Sequence, residues 1–354
     1  MRPSVTISPA RRWARDRRGR RRDVIGMAVT VAALHVAGWG LLAALIVPGD
    51  YAVGNMVFGA GLGVTAYTLG MRHAFDVDHI AAIDNTTRKL VGERKQPQSV
   101  GFWFSLGHST VVFVMVGALA LGARVLASGV EDDGSGLRRW TGTFGSGVSG
   151  TFLLLIGLLN LVSLIGIGRA LRRGEGDERD LDSRPHARGA LNRVLDPLVR
   201  AVRRPGQMYP IGVLFGLGFD TVTEVSLLVL AGGAAADTDL PWYAIVVLPL
   251  LFSAGMTLFD SLDGACMNAA YGWACAAPAH KIYYNLLVTG LSVAVALVIG
   301  AQEIVSVVTG ALGITSGPLA WIGGLDLGAM GFVVVALFVV TWLLALLLWR
   351  RGET

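Results

Sequence analysis

Met71-Arg72-His73-Ala74-Phe75-Asp76-Val77-Asp78-His79-Ile80-Ala81-Ala82-Ile83-Asp84 closes a largely apolar stretch that begins at Met56. Two imidazoles and three carboxylates fall within 12 residues, in a segment whose other side chains suit oil better than water. A charged side chain at bilayer depth costs at least about 2.5–3.5 kcal/mol on insertion scales, so each one needs a partner, a water cavity or a ligand. Arg72 can neutralise only one of the acids, and the surplus points to an ion.

The surrounding chain supplies the bilayer. Of 354 residues, 53% are hydrophobic and only 16% charged, 47 are glycine, and the mean hydropathy is +0.58. Soluble domains carry roughly 25% charge and about 7% glycine, which excludes an ordinary globular protein. Eight stretches are long enough to cross a hydrocarbon core about 30 Å thick at 1.5 Å per helical residue. They are approximately 24–47, 56–84, 101–126, 148–169, 209–232, 242–271, 281–302 and 326–349. Pro210, Pro241 and Pro278 fall at segment edges, and Pro249 predicts a kink inside the sixth. The first stretch is too long for the apolar core of a signal peptide, which spans about 7–15 residues, so it reads as a retained helix.

Counting Lys and Arg orients the spans. The first 23 residues hold nine, 85–100 hold four (Arg88, Lys89, Arg94, Lys95), 169–208 hold ten, and Lys281, Arg350 and Arg351 complete that side. The opposite loops hold only Arg124, Arg138 and Arg139. The expectation is an all-α polytopic membrane protein with eight transmembrane helices and both termini cytoplasmic. It divides into an Arg-rich tail (1–23), helices one to four (24–169), a polar loop (170–208), helices five to eight (209–349) and a short tail (350–354). The net charge of +5 belongs to lipid-facing loops and not to a nucleic-acid surface. The excess of Arg over Lys hints at GC-rich coding and hence a bacterial cytoplasmic membrane. His186 lies in the polar loop and reads as incidental.

On one straight helix, His73, Asp76 and Asp84 share an 80° arc at about 100° per residue, with His79 about 60° further round and Asp78 nearly opposite. Either the helix unwinds near Asp76 to Asp78, or Asp78 orients an imidazole through its other ring nitrogen. Three further patches carry intramembrane polarity. Leu106-Gly107-His108-Ser109-Thr110 opens the third span, with Gly107 permitting close approach of a neighbour. Asp220 and Glu224 stack four residues apart in the fifth, and Asp260 and Asp263 three apart in the sixth. Such pairs repel unless a cation, a proton or a basic partner such as Arg72 or His108 faces them. His35 reads as a packing contact, and His280, Asn285 and Asp326 as peripheral.

Imidazole with carboxylate suits first-row divalent ions of the Co, Ni and Zn type. Cys266 and Cys275 alone cannot build a thiolate site. No G-x-x-x-x-G-K-[ST] loop exists, which argues against an ATP-driven pump within this chain, and H-E-x-x-H is absent, which removes one class of intramembrane metalloenzyme. A membrane metal-dependent enzyme, or a carrier of Zn(II) or Mn(II), remains the competing reading.

Four ordered motifs then carry a resemblance. Arg72-His73-Ala74-Phe75-Asp76-Val77-Asp78-His79-Ile80, Leu106-Gly107-His108-Ser109-Thr110-Val111-Val112, Leu217-Gly218-Phe219-Asp220-Thr221-Val222-Thr223-Glu224 and Gly255-Met256-Thr257-Leu258-Phe259-Asp260 are similar to the signatures of the NiCoT nickel/cobalt transporters. Val77 and Val222 stand where that family usually has Ala. The resemblance, over about 24–350, implies high-affinity permeation of Ni(II) and Co(II) as transported substrates. It implies no resident cofactor and no enzymatic activity. It also implies an essential role for His73, Asp78 and His79, here grouped with Asp76 as the metal set. Arg72, Phe75, Asp84, His108, Asp220, Glu224, Asp260 and Asp263 are the expected pathway and supporting residues. An aromatic at Phe75 resembles the members that accept cobalt as well as nickel. Membrane lipid and the metal are the expected partners, and a homo-oligomer is compatible with the sequence.

Overall fold

The computed structural model describes residues 9–53, 56–93, 95–120, 136–172, 202–218, 224, 226–227, 230–231, 241–275, 280–325 and 330–352. In chain order the helices are α1 (Pro9–Leu41), α2 (Ala60–His73), α3 (Val77–Gly92), α4 (Val100–Ala120), α5 (Gly136–Arg172), α6 (Met208–Gly216), α7 (Trp242–Cys275), α8 (His280–Leu312), α9 (Pro318–Gly323) and α10 (Met330–Gly352). Asp220, Arg124, His186, Pro278, Asp326 and most of the polar loop lie outside the described residues.

Among the described residues, five helical stretches are long and apolar enough to cross a membrane: Arg21–Gly49, Val100–Ala118, Arg139–Gly166, Tyr243–Tyr271 and Leu286–Leu312, with a shorter apolar run at Met330–Thr341. The outer faces carry large apolar side chains in the open, among them Val36, Val298, Leu337 and Leu344. In water such surfaces would drive association; against lipid tails they need no partner. The chain is therefore an all-α, multi-pass membrane protein.

Several expected boundaries move. α1 begins at Pro9, so the Arg-rich stretch is helical and leads into the apolar run that starts at Arg21. The expected second helix over 56–84 is not one rod. It opens with a hairpin pairing Tyr51–Val53 with Met56–Phe58, which buries Phe58 against Leu42 and Ile46. It then breaks at residues 74–76 between α2 and α3. Phe75 and Asp76 donate to the carbonyls of Arg72 and His73 at 3.0 and 2.9 Å, a tightened last turn, and Asp76 takes an extended ψ of 139° before α3 begins. α3 in turn runs past Asp84 to Gly92, through residues that charge counting assigns to a loop. Arg88, expected in that loop, is buried. α7 continues through Pro249.

Glycine sets the helix spacing. A Cβ on Gly107 of α4 would lie 2.0 Å from the carbonyl oxygen of Tyr209, and one on Gly212 of α6 would lie 1.9 Å from that of Phe104. The backbones of α4 and α6 thus touch at a reciprocal pair, as the sequence anticipated for Gly107. Gly70 of α2 and Gly255 of α7 make the same device, with Cβ positions 1.9 and 2.6 Å from the carbonyl oxygens of Phe252 and Tyr67. These contacts also fix direction. Successive contacts, Gly107 with Val213 and Gly216 with Val111, run α4 parallel to α6. Gly101 against Asp260 and Ser105 against Thr257 run α4 antiparallel to α7. Phe75 against Phe259 and Ile83 against Gly264 run α2 and α3 parallel to α7.

Gly107→Ala should lose most of the folded, monodisperse protein in detergent. The methyl meets backbone that cannot turn aside, whereas overpacking against side chains costs about 1–3 kcal/mol. Gly117→Ala, in the same helix with no atom within 4 Å of its Cβ position, should be neutral or raise the melting temperature, since Ala is favoured over Gly in helices by about 1 kcal/mol.

Candidate metal centre

The break after α2 places its last turn and the first turn of α3 at the same depth as the α4–α6 contact. His73 ends α2, His79 sits in the first turn of α3, and His108 follows Gly107 on α4; all three side chains are at most 2% exposed. The rings are steeply inclined to one another, with centroids 4.4 Å apart for His73–His79, 4.7 Å for His73–His108 and 5.0 Å for His79–His108. One ring nitrogen from each falls within 4.8 Å of the others. Phe252 and Phe104 press on the cluster from two apolar cores, 5.6 Å from His73 and 4.7 Å from His79.

Carboxylates surround the imidazoles. Nδ1 of His73 meets Oδ2 of Asp76 at 2.7 Å, and Nε2 of His108 meets Oε1 of Glu224 at 2.5 Å. Nε2 of His73 lies 3.1 Å from Nε2 of His108 and 3.7 Å from Oε1 of Glu224. Asp occupies the N-cap position of α3, where its side chain ordinarily accepts from a helix N–H. Here that oxygen is committed to His73 instead. Asp260 of α7 is fully buried, with Oδ2 3.4 Å from Nδ1 of His79 and both oxygens outside hydrogen-bond geometry.

Nδ1 of His73 bonds Asp76 while its Nε2 faces His108, whose Nε2 also meets Glu224. Neither ring nitrogen of His79, nor Nδ1 of His108, nor either oxygen of Asp260 has a hydrogen-bond partner among the described residues. Lone pairs that face inward without donors are what a cation would satisfy. Two ligands at right angles on a metal with bonds of about 2.0–2.1 Å lie about 3 Å apart, close to the His73–His108 separation.

The expected residues are distributed unevenly. His73, Asp76, His79, His108, Glu224 and Asp260 converge. Asp78, half-buried in the first turn of α3, lies within electrostatic reach of Asp76, His108 and Glu224. Phe75 sits in the break, stacked 5.0 Å from Phe332. Arg72 is exposed and makes no ion pair among the described residues. The alternative that His108 docks on an acid pair holds for Glu224. Asp84 does not join the imidazoles, because the break removes the common helical face that the 80° arc assumed. It belongs with Tyr271, whose hydroxyl donates to Oδ1 of Asp84 and contacts Ser292 Oγ at 2.9 Å. Asn85, bonded to Asn160 at 2.8 Å, and the buried Arg88 extend that second group. Asp263 lies between the groups, within electrostatic reach of both Asp84 and Asp260. Sequence reading missed Tyr271 and Ser292, which look like ordinary helix residues. His35 is a packing contact as expected, bonding Tyr67 at 3.2 Å and the carbonyl of Val31.

Buried imidazoles and carboxylates that converge inside a multi-pass membrane protein are a donor set suited to a first-row divalent cation. Residues 59–348 match the family described as high-affinity nickel-transport protein, NicO, and the chain belongs to that family. It is 53% identical over 331 residues to a protein named nickel transporter NicT of Mycobacterium tuberculosis, covering 92% of this chain and 88% of the relative. It is 44% identical over 326 residues to the nickel transporter NixA of Staphylococcus aureus, covering 91% and 93% of the two chains. It is also 38% identical over 353 residues to the cobalt transport protein NhlF of Rhodococcus rhodochrous, covering 97% of each. No solved structure matches the chain significantly. The family is one of transport proteins and not of enzymes.

Glu224→Leu or His108→Leu alone should destabilise the protein by about 3–5 kcal/mol, because each strands a buried group, while the double variant should recover most of that loss. Thermal unfolding of the three variants in detergent measures the coupling, and strictly additive losses would show that the pair does not interact.

Proposed function

We propose that this protein carries Ni(II) and Co(II) across a bacterial cytoplasmic membrane as a secondary transporter, with His73, His79 and His108 as imidazole donors to the ion in transit. The observation that carries the reading is the buried His79, neither of whose ring nitrogens has a hydrogen-bond partner among the described residues, converging with ring nitrogens of His73 and His108 within 4.8 Å and held next to Glu224 and Asp260. Glu224 supplies a carboxylate oxygen and Asp260 a second, while Asp76 fixes the tautomer and tilt of His73 through Nδ1, as a partner on the far ring nitrogen does in metal sites generally. Asp78 contributes negative potential at the N-terminus of α3. Neutral imidazole with carboxylate and no thiolate favours ions of the Ni, Co and Zn type, and family membership narrows the choice to Ni and Co.

The eight-crossing arrangement with both termini in the cytoplasm accommodates the observed helix directions. α2 and α3 run parallel to α7, and α4 runs parallel to α6 and opposite to α7, as the second, sixth, third and fifth passes of a chain threading back and forth should. The broken second pass places irregular backbone where it lines the site and not where it faces lipid. The last carbonyls of α2 point their negative dipole end toward the break, which favours a cation there. Inward movement of a divalent ion draws about 4.6 kcal/mol from a potential of 100 mV, twice the single-charge value of about 2.3. Domains follow the passes: residues 24–169 and 209–349 flank the cytoplasmic loop 170–208, and the site draws on both.

Uptake of radiolabelled nickel at nanomolar concentration tests the ligand set. His73→Ala, His79→Ala and His108→Ala should each lower accumulation by at least about tenfold at unchanged membrane abundance, in line with the 10- to 100-fold effects of losing metal-site partners. Near-normal uptake in all three would remove the imidazole cluster from the pathway. Unlabelled Co(II) should compete with the label, and failure to compete would confine the carrier to nickel.

A further inference from the structure

The acids do not end at the imidazoles. On α7, Asp263 follows Asp260 by less than one helical turn, and on α3, Asp84 lies five residues beyond His79, about 7.5 Å along the axis. Since α3 and α7 run parallel here, both steps lead the same way, toward Tyr271 and Arg88. Asp84 is 1% exposed, with Oδ1 held by Tyr271 and Oδ2 without a hydrogen bond among the described residues. Oδ2 of Asp263 is likewise buried without one. One turn beyond Asp84, Arg88 is 9% exposed, and its Nε and Nη2 have no hydrogen-bond acceptor among the described residues. Its charge acts on both Asp84 and Tyr271.

Buried carboxylate oxygens and guanidinium donors without hydrogen bonds among the described residues thus lie within about one helical turn of each other. A guanidinium and a divalent cation can satisfy the same oxygens, though not together, because both are positive. We propose that Asp84, Asp263 and Tyr271 form a second, oxygen-only station for the divalent cation on the cytoplasmic side of the imidazole cluster, with Arg88 as the tethered counter-cation that fills it between passages. This inference rests on the transport reading above and assigns its release step.

The donor chemistry gives the station a purpose. Carboxylate, phenol and hydroxyl oxygens suit hard ions and hold Ni(II) less tightly than imidazole nitrogen does. An ion leaving the histidines through Asp260 meets progressively weaker donors. The return of Arg88 to Asp84 then expels it and keeps the acids compensated. Conduction of this kind needs each site to bind well enough to be entered and poorly enough to be left.

Equilibrium dialysis of radiolabelled Ni(II) against purified full-length protein, paired with uptake in cells, tests the station. Arg88→Gln should bind one equivalent more than wild type and lower uptake by at least about tenfold, whereas Arg88→Lys, which keeps the charge, should bind as wild type. Asp84→Asn should retain the imidazole-site equivalent with affinity within about threefold of wild type, yet transport at least about tenfold more slowly. Wild-type uptake in Asp84→Asn, or no added equivalent in Arg88→Gln, overturns the proposal. If Arg88→Gln does not yield monodisperse protein, Asp84→Asn alone decides. Failure of the transport reading looks different: wild type itself would then bind no Ni(II), or His73→Ala would bind as wild type.

Discussion

The structure depends on charge that the fold buries without cancelling. Asp76, Glu224 and Asp260 face His73, His79 and His108 in a compartment closed by Phe104 and Phe252. Within it both ring nitrogens of His79 and both oxygens of Asp260 lack hydrogen bonds among the described residues. Leaving a polar group unpaired in such surroundings costs about 1–3 kcal/mol, more when it is charged. A chain that tolerates several such groups is organised around an occupant. Much else in the fold serves to hold those groups at that distance. The Gly70–Gly255 and Gly107–Gly212 contacts let α2 meet α7 and α4 meet α6 at backbone range, and the break at residues 74–76 turns His79 back toward His73.

That break shows how local and tertiary preferences trade. A continuous helix would have retained its hydrogen bonds but spread His73 and His79 about 120° apart, at about 100° per residue over six residues. Ending α2 at His73 and starting α3 at Val77 gives up part of the ladder. The tightened turn at Phe75 and Asp76 recovers two backbone bonds. Phe75 is packed between Phe259 and Phe332, so the interruption is anchored by apolar contact and not left as a loose loop.

Much of this was legible in the sequence. The all-α membrane class, the four polar patches and the close approach at Gly107 follow from composition and spacing, and unwinding near Asp76 was one of two geometries that the helical wheel allowed. What could not be read depends on partners distant in the chain. Asp84, expected among the pathway residues, shares an arc with His73 and Asp76 only on a continuous helix; with α3 turned, its partner is Tyr271, 187 residues away. Arg88 counted as a loop charge because Asp84 to Arg88 is polar, yet contacts such as Asn85 with Asn160 let that stretch be buried as helix. His108 could be given no better than a supporting role, since only the packing of α4 on α6 brings it 3.1 Å from His73. The short hairpin at Tyr51–Phe58 left no mark in an apolar run, because three-residue strands are too brief for a period-two pattern.

X-ray absorption at the nickel K-edge, on purified protein loaded with a single equivalent of Ni(II), tests the central claim most directly. The account predicts a first shell of nitrogen and oxygen only, at about 2.1 Å, with outer-shell scattering from about three imidazole rings. That imidazole scattering should diminish in His108→Ala. A sulfur-containing shell, or a shell of oxygens with no imidazole signature, would contradict it.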